Sequence, residues 1–486
     1  MKTFVLAREG AIYFLARLLP ALLNLPTFYL LTNYLSGAEY GRYSLIFSTV
    51  AFLQIIFFSW INQGFYRFYS THPIEARKQL LSTTIGCFAI SLVLSLLIGA
   101  AIANTADIPP TGLLFGAAAA LLGSLAAIEL LSVRRNIEER PFAYAGVQIG
   151  RALCALLAGG AAAYWTGSAV AVILCSALAW LFLAFVAGIG NWIASIARTR
   201  IDRDLTIQLF RYGWPLTAAT ALMQAVATLD RAMLAIFRTP LAVGEYSSVF
   251  DLAQFSLGTL GSAIGLAFYP RILRAHSGDG DTLPGLLRQN AGIQLAILLP
   301  SAVGLAIVGP DLTALLVGPQ LSGGAAAVMP WVAIAMFLGV FKAYYFDLAF
   351  QLSKWTMGSL IVAAVTLLVT GIANLLLIPS LGAVGAAQAS LMGFAMATCV
   401  SVLLGRMHAM PMPFPWRDAL KIGCATLIMI LSTVAIPAQP TIAGLTIRVC
   451  VGAMTYFGIM MLVDACGLHR LAVEVRQRLG EKRANG

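Results

Sequence analysis

Residues 41–47 read Gly-Arg-Tyr-Ser-Leu-Ile-Phe, and residues 244–250 read Gly-Glu-Tyr-Ser-Ser-Val-Phe. The shared string, Gly-x-Tyr-Ser-x-x-Phe, recurs at an offset of 203 positions. The same register extends outward on both sides, placing Arg8 on Arg211, Gly10 on Gly213 and Phe65-Tyr66 on Phe268-Tyr269. Eight identities across about sixty residues without a gap mark an internal repeat.

Composition fixes the medium in which the repeat folds. Of the 486 residues, 60% are apolar and 10% charged, and the mean hydropathy is +0.86. Soluble domains carry about 25% charged residues, so this much apolar surface has to be solvated by lipid. Soluble enzymes, nucleic-acid binders and disordered proteins are thereby excluded. A spanning helix needs about 20 predominantly apolar residues. Fourteen segments meet that need, near 10–34, 42–62, 80–104, 112–133, 142–165, 168–190, 213–237, 243–268, 290–309, 325–350, 355–378, 383–405, 419–436 and 442–464. The first follows Lys2 and Arg8 as a signal peptide would, but it is too long, is interrupted by Arg17, Asn24 and Pro26, and lacks a small-residue cleavage site. It is expected to be retained.

The expected fold is therefore all-α, a polytopic membrane protein of about fourteen transmembrane helices. The offset carries span 1 onto span 7 and span 2 onto span 8, so each repeat holds six helices. Six is even, and the two halves share one topology about an axis along the membrane normal, an arrangement found in transporters with the substrate path between the bundles. The expected division is a lobe over 1–204, a lobe over 205–410, spans 13 and 14 over 411–466, and a tail over 467–486.

With the N-terminus inside, 24 of the 31 Lys and Arg fall on the inner side, two (Arg42 and Arg238) fall outside, and five lie within spans. That asymmetry places both termini in the cytoplasm. The net charge of +11 is then a topology signal facing anionic headgroups, and no nucleic-acid partner is needed to explain it. In the tail, Leu468, Leu471, Val475 and Leu479 share one face, as in a short interfacial helix. The seven cysteines stand singly without metal-ligand spacing and read as core or lipid-facing thiols.

Ionisable groups inside lipid are costly and normally face a partner or a cavity. On span 7, Thr217, Thr220, Gln224, Thr228 and Arg231 share one helical face, and Asp230 adjoins Arg231. Span 1 offers Tyr13, Arg17, Asn24 and Thr27, with Pro20 and Pro26 permitting a bend. Asp251 and Gln254 lie on span 8, Tyr144, Gln148 and Arg151 on span 5, and Lys342 with Tyr345 on span 10. One reading is that these charges pair with one another, Asp251 with Arg231 and Asp347 with Lys342. The other starts from five bases against four acids (Glu129, Asp230, Asp251, Asp347) within the spans. That cationic excess suits an anionic substrate, and a phosphate or pyrophosphate would supply the missing charge. Runs of alanine, such as 117–120 and 161–163, read as close helix packing.

No P-loop and no His-Glu-x-x-His occur, and the four histidines lie in inner loops or the tail. The outer loops are short, the longest near 310–324 with Asp311 as its only ionisable group. Catalytic carboxylates have nowhere to stand, so an enzyme is the weaker class and no cofactor is expected.

The helix around Gly10-x-x-x-Phe14, the run Leu35-Ser36-Gly37-Ala38-Glu39-Tyr40-Gly41-Arg42-Tyr43-Ser44, and Gly64-Phe65-Tyr66-Arg67-Phe68-Tyr69 resemble the polysaccharide transporter family. So do Leu229-Asp230-Arg231 and Gly244-Glu245-Tyr246-Ser247 in the second half. These are Wzx-type flippases within the multidrug/oligosaccharidyl-lipid/polysaccharide exporter superfamily. The resemblance implies two six-helix lobes in a V that opens alternately to either side of a bacterial inner membrane. It implies transport of undecaprenyl-pyrophosphate-linked oligosaccharides for O-antigen, capsule or exopolysaccharide. Coupling to H+ or Na+ is implied as well, with a polysaccharide polymerase and chain-length machinery as partners. The pyrophosphate would sit among Arg17, Arg151, Arg231 and Lys342, the sugars among Asn24, Thr217, Thr220 and Gln224, and Asp230 or Asp251 would take the coupling ion. Fourteen spans are also similar to the lipid II flippases, whose last helix pair forms a groove for the lipid tail. The alternative within the superfamily is a cation-coupled multidrug or small-molecule exporter, usually of twelve spans.

Overall fold

Lipid offers no partner to a backbone N–H or C=O, so a spanning segment must satisfy its own, which an α-helix does. The computed structural model describes residues 2–69, 74–105, 112–138, 140–190, 201–277, 282–408 and 410–464, with backbone alone for 2–15, 17, 74–76 and 100–105. Among these residues there is no strand, and fourteen long helices follow the fourteen apolar segments. The first six are α1 (Lys2–Tyr34), α2 (Gly37–Tyr69), α3 (Ile74–Thr105), α4 (Gly112–Ile137), α5 (Pro141–Thr166) and α6 (Ala169–Val186). Next come α7 (Arg203–Phe237), α8 (Pro240–Ser277), α9 (Leu283–Leu316) and α10 (Pro319–Leu352). Last are α11 (Thr356–Leu381), α12 (Ala383–His408), α13 (Trp416–Val434) and α14 (Ile442–Leu462). Among the described residues, twelve of these are long and apolar enough to cross a membrane. The other two are α1, described in full only over its second half, and α13, which carries Arg417, Asp418 and Lys421 near its start. The expected tail helix after 467 lies outside the described residues.

Three helices contain a π turn: Ala155–Gly159 in α5, Gln254–Gly258 in α8 and Lys342–Phe346 in α10. Each follows or includes an ionisable residue of the polar stripes, namely Arg151, Asp251 and Lys342. Such single-turn insertions re-aim the side chains beyond them and recur at functional positions.

The chain packs as two compact units, 1–247 and 248–486. This division falls within α8, whereas the repeat offset divides the chain between spans 6 and 7. The first unit extends further because α7 lies antiparallel along α2. Near the C-terminus of α2 a Cβ on Gly64 would meet the Leu209 backbone 3.0 Å away. One turn on, a Cβ on Gly213 would strike the Trp60 carbonyl, and near the start of α2 one on Gly41 would strike that of Pro240, the first residue of α8. Glycine is what lets these backbones approach. Elsewhere in this unit Glu39 accepts the free N–H of Ala169 at the start of α6 (2.8 Å) and pairs with Arg42 (2.5 Å).

In the second unit α9 continues through Pro310 to Leu316, and only Val317 and Gly318 separate it from α10. The outer loop expected near 310–324 is therefore two residues long. Gly-Pro-Asp reads as a helix stop in water, but a proline inside a spanning helix is tolerated where neighbours re-satisfy the backbone. Asp311, expected in that loop, is instead 4% exposed within α9, where it pairs with Arg448 of α14. Tyr456 of α14 donates to the Ala296 carbonyl of α9 (2.7 Å). These two contacts fasten the terminal helix pair to the second unit. Between α9, α14 and the π turn of α8 runs a groove of about 380 Å³, lined by Leu260, Ile297, Leu305, Val449 and Phe457 with Arg448 at one end.

A buried ion pair broken on one side leaves an uncompensated charge, at a cost of about 3–5 kcal/mol, whereas replacing both partners with apolar groups is often neutral. Arg448→Leu is therefore expected to lower the denaturation midpoint in detergent markedly, and the double variant Asp311→Leu/Arg448→Leu to recover most of the loss.

Candidate functional site

Arg231 lies six residues before the end of α7 and is 5% exposed. Its Nε donates to Ser44 Oγ (3.0 Å) and Ser247 Oγ (3.1 Å), and its Nη1 to the Ala227 carbonyl (2.9 Å). Ser44 and Ser247 are the matching serines of the two Gly-x-Tyr-Ser-x-x-Phe strings. One guanidinium is thus gripped by the same residue from each half of the repeat. The matching glycines meet beside it, since a Cβ on Gly41 would lie 2.9 Å from the Gly244 nitrogen. The counterpart of Arg231 in the first half is Phe28, whose ring meets Tyr40 edge-on at 6.3 Å. The grip is therefore built on a symmetric frame with a single cation.

Asp230 is 1% exposed and accepts a 2.5 Å hydrogen bond from the Tyr246 hydroxyl, the tyrosine of the second string. Thr228 donates to the Ser48 carbonyl (3.3 Å). The polar stripe of α7 is buried toward its C-terminal end and at Thr217, whose hydroxyl has no hydrogen-bond partner. Between them Thr220 is exposed and Gln224 half-buried, so the stripe opens in its middle. Asn24 is half-buried on α1, and the side chain of Arg17 lies outside the described residues.

Arg151 belongs to a second cluster of the first unit. Its guanidinium stands over the Trp180 ring at 5.2 Å, while Trp180 Nε1 donates to the Arg151 carbonyl (2.9 Å). Glu129 and Tyr43 are its electrostatic neighbours. One turn before it, Gln148 donates to the Tyr144 hydroxyl (3.2 Å). The cavity among Thr27, Tyr43, Ser176 and Trp180 measures only about 20 Å³, room for about one water.

In the second unit Lys342 is 2% exposed and its Nζ lies 2.7 Å from Asp347 Oδ2. The two are five residues apart, a spacing that a π turn brings to one face and an α turn does not. Asp347 also accepts from Ser401 (3.0 Å), which ties α10 to α12. Asp251 is half-buried on α8. Asp311 now counts among the acids within spans, and acids at least match bases there. The cationic excess expected from the sequence is absent, because a carboxylate assigned to a loop is buried against Arg448.

Ser44, Ser247 and Tyr246 were not among the expected site residues. Their signal was present in the repeated string, whose polar members must be satisfied inside lipid wherever the string is buried.

The profile of the family described as polysaccharide biosynthesis protein matches residues 6–276, more than half of the chain, and the chain belongs to that family. No curated protein sequence matches it. Among solved structures it is similar to the lipid II flippase MurJ in an inward closed conformation, with TM-score 0.75 and 12% identity, covering 93% of this chain and 99% of that one. It is also similar to an inward-facing multidrug resistance MATE family transporter of the MOP superfamily, with TM-score 0.53, 15% identity, and coverage of 81% and 97%. A Vibrio cholerae MATE transporter matches with TM-score 0.51 and 14% identity, covering 82% and 95%. The fold is that of these all-helical transporters.

Either serine alone can serve Arg231 Nε, so Ser44→Ala and Ser247→Ala are each expected to be mild. The double variant removes both hydroxyls from a buried charged donor and is expected to cost about 2 kcal/mol. Denaturation of both singles and the double in one detergent checks this non-additivity, and strictly additive losses would count against a shared grip.

Proposed function

We propose that this protein is a flippase that carries polyprenyl-pyrophosphate-linked oligosaccharide repeat units from the inner to the outer leaflet of a bacterial inner membrane, for surface polysaccharide synthesis. The observation that carries the reading is the groove beside α14. It is apolar, has a length of helix on either side, and ends at a buried arginine, which suits a prenyl chain lying alongside a carrier. An exporter of small soluble cations has no use for such a groove. Membership of the polysaccharide biosynthesis family supports the same reading, as does a fold shared with a protein that moves lipid II.

In this reading Arg17, Arg151 and Arg231 of the first unit, and Lys342 of the second, are the cations assigned to the pyrophosphate. Lys342 must then exchange Asp347, and Arg231 its serines, for phosphate oxygens during the cycle. Asn24, Thr217, Thr220 and Gln224 are assigned to the sugars, and Asp230 or Asp251 to a coupling proton or sodium ion.

Cells depleted of the protein are expected to accumulate one defined polyprenyl-linked oligosaccharide in the inner leaflet. Mass spectrometry identifies the lipid, and an impermeant probe of the sugar assigns the leaflet. Absence of accumulation, together with increased sensitivity to cationic dyes, would instead make the protein a drug exporter. Arg231→Ala is expected to reproduce the accumulation with the protein still in the membrane.

A further inference from the structure

The connection from α12 to α13 includes Met410-Pro411-Met412-Pro413-Phe414-Pro415-Trp416. Proline at every second position removes N–H donors and fixes φ, so this stretch can join neither helix and crosses the end of the unit as an extended strap. It is pinned from below, because the Tyr345 hydroxyl on the π turn of α10 donates to the Pro413 carbonyl (2.6 Å). Phe414 meets Phe341 edge-on (6.4 Å), and Phe341 in turn packs on Tyr345 (5.4 Å). At the top of this chain of rings Trp416 lies 4.5 Å from Phe414 and is 69% exposed.

Two cavities flank the Phe414–Trp416 pair. One, of about 720 Å³, runs along the first turns of α9 and presents Arg288, Gln289, Arg417 and Asp418. The other, of about 300 Å³, presents Arg406 and Ser401. Gly285, Arg288, Gln289 and Gly292 fall on one face of α9, and a Cβ on Gly285 would meet nothing within 4 Å, so the wall of the larger cavity is open between its polar groups. A tryptophan that merely anchors a helix at a membrane interface needs no such mount. Here the ring is held by a proline strap and a buried aromatic stack, and it opens onto basic cavities on both sides.

An aromatic face is electron-rich and accepts the C–H groups of a sugar ring. Guanidinium groups in a fork recognise phosphate, and Gln289 and Asp418 can bond sugar hydroxyls. We propose that Trp416 and its two cavities form a binding site for a sugar-phosphate headgroup, with Trp416 stacking a sugar and Arg288 and Arg417 holding the phosphate. The proposal rests on the flippase reading and deepens it. The site lies on the side that the arginine distribution assigns to the cytoplasm, where a headgroup is captured before it is moved. Its order in advance lowers the entropy lost on binding.

The test uses the full chain in nanodiscs of zwitterionic phosphatidylcholine, with geranyl-pyrophosphate-linked N-acetylglucosamine as the probe and geranyl pyrophosphate as the sugar-free control. Trp416→Ala is expected to weaken binding of the sugar probe by roughly tenfold, Trp416→Phe much less, and neither to change binding of the control. Arg288→Gln/Arg417→Gln is expected to weaken both. Wild-type binding that all of these variants retain would overturn this site and leave the flippase reading intact. Failure of the wild type to bind the sugar probe would overturn both. If phosphatidylglycerol-rich nanodiscs suppress binding of both compounds equally, with no dependence on Trp416, the cavities hold a phospholipid headgroup and the sugar assignment is wrong.

Discussion

Helix α2 against α7 is the contact on which the first unit depends. The two run antiparallel with backbones close enough that a Cβ at position 213 would collide with the Trp60 carbonyl and one at position 64 would press on the Leu209 backbone. In lipid no hydrophobic force drives helices together, so such approach, with its dispersion and short polar contacts, is what holds a seam. The seam decides where α7 belongs, and it brings Ser44 within reach of Arg231. Remove the glycines and the matching serines of the two strings no longer converge on one guanidinium. The repeat is therefore not only a record of duplication. Its two copies of one string complete a single site.

Charge inside the bilayer is handled in two ways. Asp311 with Arg448 and Lys342 with Asp347 are carboxylate–cation pairs that tie α14 to α9 and close the π turn of α10. Breaking such a pair exposes an uncompensated charge, and the Asp311–Arg448 contact in this way holds α14 fixed on α9. Arg231 also bonds two hydroxyls, one from each half of the repeat, and the Ala227 carbonyl. A neutral hydroxyl can yield its place to a phosphate oxygen at small cost, since a charge-assisted bond replaces a weaker one.

Most of the architecture was legible because lipid leaves the chain few options. Every apolar run of spanning length had to be a helix, and the fourteen helices found follow the fourteen segments expected. The misreading at 310–324 shows where that logic ends. Gly309-Pro310-Asp311 carries every mark of a loop in water, yet within the bilayer Met329 packs where a Cβ of Gly309 would stand, and Arg448 supplies the partner for Asp311. That partner lies 137 residues away, and no local pattern announces it. Lys342 and Asp347 were legible as a pair by composition, but not the π turn that aligns them, because backbone insertions leave no periodic signal. Arg231 was singled out as a cation within a span. Its actual neighbours were hidden in a string read for its recurrence and not for its chemistry.

The groove, the grip and the strap differ in physics. The groove is apolar and broad, which suits a chain whose binding must be nonspecific and fluid. The grip is compact, charged and dry, a setting in which a phosphate gains most from a guanidinium because little water competes. The strap carries an exposed ring, Trp416, which suits a headgroup that arrives hydrated and has to be recognised before it is desolvated. A molecule with a prenyl tail, a pyrophosphate and sugars needs all three environments, whereas a compact drug cation needs none of the first and little of the last. In the reading proposed above, a lipid-linked glycan is the cargo that uses each of these environments.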